Sequence, residues 1–330
     1  MPGAGAASAL LPARGVRMDL LFIIDPVASL KAYKDTTVTM MRTAQARGHA
    51  VHACEQSALE WRDGVVGANA AHLQVTDNDE DWYRARGHAR RALKDFAAVV
   101  MRKDPPFDLE YVTSTWLLSA AEREGARVFN SPQAVRDHNE KFAIAEFGRF
   151  TAKTTVAREM DSLQSFIEAE RDVVLKRLDG MGGASIFRVR ADDPNRNVIV
   201  EMMTEFGARM VMAQRYLPEI RDGDKRVLLI DGRPVPHCLA RIPKAGESRG
   251  NLAAGGKGVA RPLTARDREI AESLGPVLAA RGLLLVGLDI IGDCLTEVNV
   301  TSPTCFREIA DQTGFDVAGM FMDAIEGKLR

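Results

Sequence analysis

Five apolar residues run without a break from Leu20 to Ile24 and stop at Asp25-Pro26. So short a run, closed by a breaker pair, predicts a strand buried on both faces. Val38, Met41 and Gln45 then recur at helical spacing within Thr36 to Arg47, and Gly48 ends that helix. Ala50 to Cys54 is a second strand. This opening constrains the fold strongly, because two parallel strands need a long crossover and a helix usually supplies it. Phe96 to Met101 and Arg127 to Asn130 add further strands around a helix from Leu109 to Glu124, closed by Gly125. The sequence therefore predicts an open parallel α/β domain over residues 18–138.

The pattern changes at Asn139. A helix is expected from Glu140 to Phe150, then a Thr-rich strand from Thr154 to Ala157. Ser162 to Glu170 reads as a helix capped by Asp161 or Ser162. Closely spaced strands follow: Val173 to Leu178, Ser185 to Val189, Met210 to Tyr216, Arg226 to Ile230 and Val235 to Ile242. Asp231-Gly232 is a hairpin turn signal, so this half, residues 139–330, is expected to be largely antiparallel. Pro243 to Gly258 is a long segment rich in glycine, of the kind that forms a functional lid. A helix from Thr264 to Arg281, a hairpin of Leu283 to Ile291 with Leu295 to Val300, and a helix from Val317 to Leu329 complete the chain.

Charge and length narrow the function. Lys plus Arg number 44 against 45 Asp plus Glu, a net charge of −1. That balance argues against a basic nucleic-acid binder. No apolar run reaches the roughly 18 residues of a membrane helix. The four cysteines, at 54, 238, 294 and 305, fit no zinc spacing and read as reduced thiols of a cytoplasmic protein. Residues 1–17 read as a disordered extension, with Met18 starting the folded part.

Several residues are out of place unless they meet charged ligands. Lys176 lies on a strand of otherwise apolar residues, Val173-Val174-Leu175, four residues before Gly180-Met181-Gly182-Gly183. A lysine there is costly without an anion, and glycine amides can approach phosphate closely. The glycine string alone reads more readily as a flexible hairpin, and Lys176 beside it is what points to phosphate. Asp289 interrupts another apolar strand, and Glu297 and Asn299 share one strand face. Two carboxylates and an amide oxygen suit Mg²⁺; pairing with nearby arginines is the equal alternative. Were Gly292-Asp293 a strict two-residue turn, Asp289 would face away from Glu297; a three-residue loop or a bulge brings them together. Arg102 and Lys103 stand at the C-terminal end of a strand, where ligands collect in open α/β sheets. Arg226 and Arg241 flank the Asp231-Gly232 hairpin, and with lysines and Mg²⁺ they would suit phosphoryl transfer. The six histidines are scattered without a partner pattern.

Longer strings carry a family resemblance. Leu175-Lys176 through Gly180-Met181-Gly182-Gly183-Ala184-Ser185-Ile186-Phe187-Arg188 resembles the phosphate strand and small loop of the ATP-grasp enzymes. Met101 to Asp108, Asp222-Gly223-Asp224-Lys225-Arg226, Arg249 to Gly256, and Gly287-Leu288-Asp289 through Glu297 to Pro303 narrow it to the bacterial glutathione synthetases. The resemblance runs from residue 18 to the C-terminus and implies an ATP-grasp fold behind the first domain. It implies ATP phosphates on Lys141, Lys176 and the loop Gly180, Met181, Gly182 and Gly183. Gln214, Tyr216 and Leu217 would lie by the adenine and Asp224 near the nucleotide. Arg226 and Arg241 would face the transferring phosphate, and Asp289, Glu297 and Asn299 would hold Mg²⁺ or Mn²⁺. Arg102, Lys103, Gly255 and Gly256 would meet substrate. The implied reaction joins γ-glutamylcysteine to glycine with ATP in a homotetramer; another ATP-grasp carboxylate–amine ligase is the alternative. Lys257 stands where the family pattern has Arg, and residues 1–17 have no counterpart.

Overall fold

The computed structural model describes residues 17–180, 185–244, 250 and 255–330. The expected opening is present: β1 (Asp19–Ile24), α1 (Thr36–Ala46) and β2 (Ala50–Glu55), with β1 and β2 parallel. Asp35 caps α1 by accepting the Val38 amide at 2.8 Å. The chain then adds β3 (Leu59–Arg62), β4 (Val65–Val75) and β5 (Tyr83–Ala92) before β6 (Ala98–Met101), α2 (Leu109–Arg123), β7 (Val128–Phe129) and α3 (Pro132–Asp137). The sheet order is β3-β4-β2-β1-β6-β7, with β5 on the far side of β4. Its β2-β1-β6-β7 core is parallel, while β4 runs antiparallel to β2, β3 and β5. The antiparallel extension was not foreseen because β5 is mostly exposed and rich in arginine, so it shows no apolar alternation.

A 3₁₀ helix kinked at Phe147 occupies Phe142–Phe150 where a regular helix was expected. Beyond it lie β8 (Thr154–Ala157), α4 (Met160–Glu170), β9 (Asp172–Arg177), β10 (Ile186–Arg190), α5 (Arg196–Thr204) and β11 (Val211–Arg215). They form an antiparallel sheet, β10-β9-β11-β8. Val173, Leu175, Val189, Val211 and Ala213 pack from it onto Leu163 and Ile167 of α4 and Val200 and Met203 of α5. The helix α4 starts at Met160, two residues before the expected start at Ser162. Glu159 is its extended N-terminal residue, and no side chain caps it.

The last sheet holds β12 (Asp224–Ile230), β13 (Arg233–Ile242) and β14 (Lys257–Pro262), then α6 (Ala265–Ala280), β15 (Leu285–Ile291) and β16 (Cys294–Asn299). Its order, β14-β13-β12-β15-β16, is antiparallel throughout. Asp231 and Gly232 both take positive φ, 47° and 74°, the conformation a two-residue hairpin requires. The strand β14 starts at Lys257, so the expected loop over 243–258 ends two residues early; 245–249 and 251–254 lie outside the described residues. Finally α7 (Phe306–Thr313) and α8 (Val317–Leu329) return to the first layer, where Phe306, Phe321 and Ile325 share a core with Leu20, Phe22 and Met41. Among the described residues no helix is long and apolar enough to cross a membrane.

Candidate active site

Strand parity builds the centre of the site. Gly292 and Asp293 form the turn, but the register slips beyond Ile290–Leu295 so that Asp289 faces Glu297 and Gly287 faces Asn299. Thr296 is the extra residue of a β-bulge, the second of the two expected routes to a common face. Its hydroxyl donates to the Asp289 carbonyl at 3.1 Å, and its own carbonyl accepts from Lys176 Nζ at 3.4 Å.

Across the other edge of β15, Asp289 faces Arg226. The guanidinium is bidentate: Nε to Oδ1 at 2.5 Å and Nη2 to Oδ2 at 3.1 Å. Arg241 on β13 reaches the same Oδ2 at 2.8 Å and Asp224 Oδ2 at 2.5 Å. Arginine pairing therefore accounts for the buried Asp289. Burial alone would raise its pKa, but Arg226 and Arg241 outweigh it and hold the carboxyl well below the usual range. Burial dominates at Asp224, where it and the Asp289 charge push the pKa up to about 6 against the pull of Arg241. Asp224 Oδ1 is buried without a hydrogen-bond partner.

Two buried lysines face this array. Lys141 Nζ donates to the Gly180 carbonyl and lies 3.9 Å from Glu297 Oε1. Lys176 is 6% exposed; burial, with Lys141 nearby, lowers its pKa against the pull of Glu297. Four cations (Arg226, Arg241, Lys141, Lys176) thus meet three carboxylates (Asp224, Asp289, Glu297), which leaves positive charge for an anion. Gln214 is buried on the same sheet face as Lys176 and donates to Thr154 Oγ1 at 3.0 Å. Tyr216 and Leu217 continue β11 beyond its end. Met181, Gly182 and Gly183 lie outside the described residues.

A metal has usable donors here. Glu297 and Asn299 present oxygens two residues apart on β16, and Asn299 Nδ2 donates to the Gly287 carbonyl at 3.1 Å, which orients the amide. Asp289 spends three of about four lone-pair positions on arginines, leaving one on Oδ1. Glu297 and Asn299 therefore fit hard-cation binding, with Asp289 as a shared ligand. No group of three or more His, Cys, Asp or Glu is arranged for a metal among the described residues.

The first layer brings a further cation. Arg102 follows β6, is 4% exposed, and donates to Thr37 Oγ1 at 3.1 Å and the Pro303 carbonyl at 2.9 Å. Its Nη1 is buried without a partner. Lys103 differs: Asp25 at 2.9 Å and the Asp104 carbonyl at 2.7 Å already engage its ammonium. Near Arg241, a Cβ on Gly250 would collide with the Arg241 carbonyl, and one on Gly256 with the Gly250 carbonyl. Gly255 has φ +88° and no room beside Lys244.

Comparison with known proteins decides the family. The model of the prokaryotic glutathione synthetase N-terminal domain matches residues 18–136, and that of the prokaryotic glutathione synthetase ATP-grasp domain matches residues 140–314. The chain belongs to the prokaryotic glutathione synthetases. A glutathione synthetase of Ralstonia nicotianae is 61% identical over 309 residues, covering 94% of this chain and 95% of the relative. One from Escherichia coli O6:H1 is 51% identical, covering 93% and 98%. Among solved structures, a D-cycloserine synthetase is similar with a TM-score of 0.67 at 16% identity, over 94% of this chain and 100% of that one. A RimK-domain ATP-grasp protein from Sphaerobacter thermophilus gives 0.61 at 18%, over 94% and 100%. Both share the ATP-grasp fold.

Within this glutathione synthetase fold, Glu140 and Asn130, which the sequence marks only as the ends of elements, tie the parts together. Glu140 Oε1 accepts from the Val300 amide at 2.9 Å, the Thr301 amide at 3.0 Å and the Thr301 hydroxyl at 2.8 Å. Its carbonyl accepts from Val298 at 2.8 Å. Lys141 is thereby held beside β16. Asn130 bonds both the amide and carbonyl of Leu285 and the Val300 carbonyl, joining β7 to β15 and the end of β16.

Proposed function

We propose that this cleft catalyses the glutathione synthetase reaction: ATP-dependent joining of γ-glutamylcysteine and glycine to give glutathione, ADP and phosphate. The buried array of Arg226, Arg241, Lys141 and Lys176 around two pinned carboxylates carries the reading. It offers charge stabilisation but no side-chain nucleophile, which suits chemistry in which ATP activates the acid.

The cysteinyl carboxylate attacks the γ-phosphorus of ATP. A carboxyl O–P bond forms, the bond to the bridging oxygen breaks, and ADP leaves with that electron pair. The neutral amine of glycine then attacks the acylphosphate carbonyl, phosphate departs with the C–O pair, and the nitrogen loses a proton. Arg226 and Arg241 stabilise negative charge on the transferring phosphoryl group, and Asp289 holds their guanidiniums in place. Lys141 and Lys176 bind phosphate oxygens together with the Gly180 to Gly183 loop. Gln214, Tyr216 and Leu217 bound the adenine, and Asp224 lies near the nucleotide. Mg²⁺, or Mn²⁺ in its place, held by Glu297 and Asn299 with a share of Asp289, supplies charge neutralisation to the phosphates. Arg102 receives a substrate carboxylate through Nη1, with Lys103, Gly255 and Gly256 bordering the substrate. The lid, the 243–256 connection between β13 and β14, excludes water from the acylphosphate.

Residues 18–138 serve as the substrate-binding domain and 139–330 as the ATP-grasp domain. The enzyme works in the cytoplasm as a homo-oligomer, a tetramer by resemblance, without nucleic-acid or membrane partners. ADP release tests the reaction: it should require γ-glutamylcysteine and glycine together and match glutathione formed mole for mole. Equal release without glycine, or with a different acceptor preferred, would refute it.

A further inference from the structure

The face of β9 opposite the apolar core carries Asp172, Val174 and Lys176. Register extends that face across the sheet: Val174 is flanked by Arg188 of β10 and Gln214 of β11. At the end remote from Lys176, the Arg188 guanidinium carbon lies 3.6 Å from the centre of the Tyr216 ring. Asp172 grips the same guanidinium twice, Oδ1 accepting from Nε at 2.9 Å and Oδ2 from Nη2 at 2.6 Å. The Asp172 carbonyl also accepts the Tyr216 amide at 2.9 Å.

One aspartate thus fixes both members of the stack. Four residues of strand separate it from Lys176, about 13 Å, which places the stack at the base end of a nucleotide whose phosphates lie at Lys176. The stack adds nothing to the apolar core, which is on the other face. Only arginine can give both a planar stack and a two-pronged bond to a carboxylate.

We propose that Arg188 is a positioning residue for the base end of ATP: pinned by Asp172, it clamps the Tyr216 ring and so fixes the Tyr216–Leu217 backbone beside the purine. The inference rests on the assignment of Gln214, Tyr216 and Leu217 to the adenine. It concerns a residue that touches the nucleotide site through another side chain, so binding of ATP is affected and the chemical step is not.

Initial rates against ATP, γ-glutamylcysteine and glycine test it in Arg188→Gln, Arg188→Lys, Asp172→Asn, Tyr216→Leu and the Arg188→Gln/Tyr216→Leu double variant. Both Arg188 variants should raise the KM for ATP about fivefold. The other two KM values should hold, and kcat at saturating ATP should fall less than about twofold by the logic of ground-state binding. Asp172→Asn should move the same constant in the same direction. The double variant should be no worse than Tyr216→Leu alone. An unchanged KM for ATP, a joint loss of kcat and every KM, or additive effects in the double variant would overturn the proposal. Lys176→Met in the same assay separates the layers. If it loses ATP affinity while Arg188→Gln does not, the positioning role fails alone; if it retains normal affinity, the nucleotide assignment fails first.

Discussion

Lys176→Met should separate function from stability. In the unliganded protein Lys176 has one long hydrogen bond, 3.4 Å to the Thr296 carbonyl, and is almost wholly buried. Burial lowers its pKa below the ordinary 10.5, so the folded state resists protonation and the ammonium costs stability at neutral pH. That cost is full below the lowered folded-state pKa and fades as pH rises from there to the ordinary value. Methionine fills a similar volume without charge. It forfeits about 0.5–1 kcal/mol of a weak hydrogen bond and removes the desolvation cost, so the thermal midpoint should hold or rise. Against ATP, a lost charge-assisted bond of about 1.5–3 kcal/mol predicts affinity weaker by about 10- to 150-fold. Calorimetric titration with a non-hydrolysable ATP analogue, paired with thermal unfolding, measures both. A clear fall in the midpoint with unchanged affinity would refute the reasoning and make Lys176 structural.

Other outcomes follow from the same geometry. Glu140→Ala strands the Val300 and Thr301 amides and should destabilise the fold by about 2–4 kcal/mol, read by denaturant unfolding. Arg102→Met should raise the KM for γ-glutamylcysteine about 10- to 100-fold and leave that for ATP unchanged; steady-state kinetics decide it. Asp224 binds its proton more tightly in the folded state, so stability should decline as pH rises from about 4 to about 6. Thermal midpoints across that range should lose this component in Asp224→Asn.

The parallel opening was legible because Leu20 to Ile24 and Ala50 to Cys54 are apolar runs with a helical crossover between them. The shared face of Asp289 and Glu297 was legible through strand parity, which allowed only a longer loop or a bulge. Which of these formed depends on Thr296 bonding back to Asp289, a contact no spacing reveals. Whether Asp289 met arginine or metal stayed open, because cross-strand partners at positions 226 and 241 are set by register across three strands. Glu140 gave no signal, since its acceptors' partners lie 160 residues away in the backbone of Val300 and beyond. The β5 strand was hidden by its charge, and the return of α8 to α1 rests on tertiary packing of Met41 and Ala44 with Phe321 and Ile325.

The central claim is that the carboxylate of γ-glutamylcysteine is activated as an acylphosphate. Labelling that carboxylate with a heavy oxygen isotope and analysing the products of turnover with ATP and glycine by mass spectrometry tests it directly. Transfer of one labelled oxygen into the released phosphate, with the other retained in the new amide, is the predicted result. Glutathione formation with no label in phosphate would contradict the account.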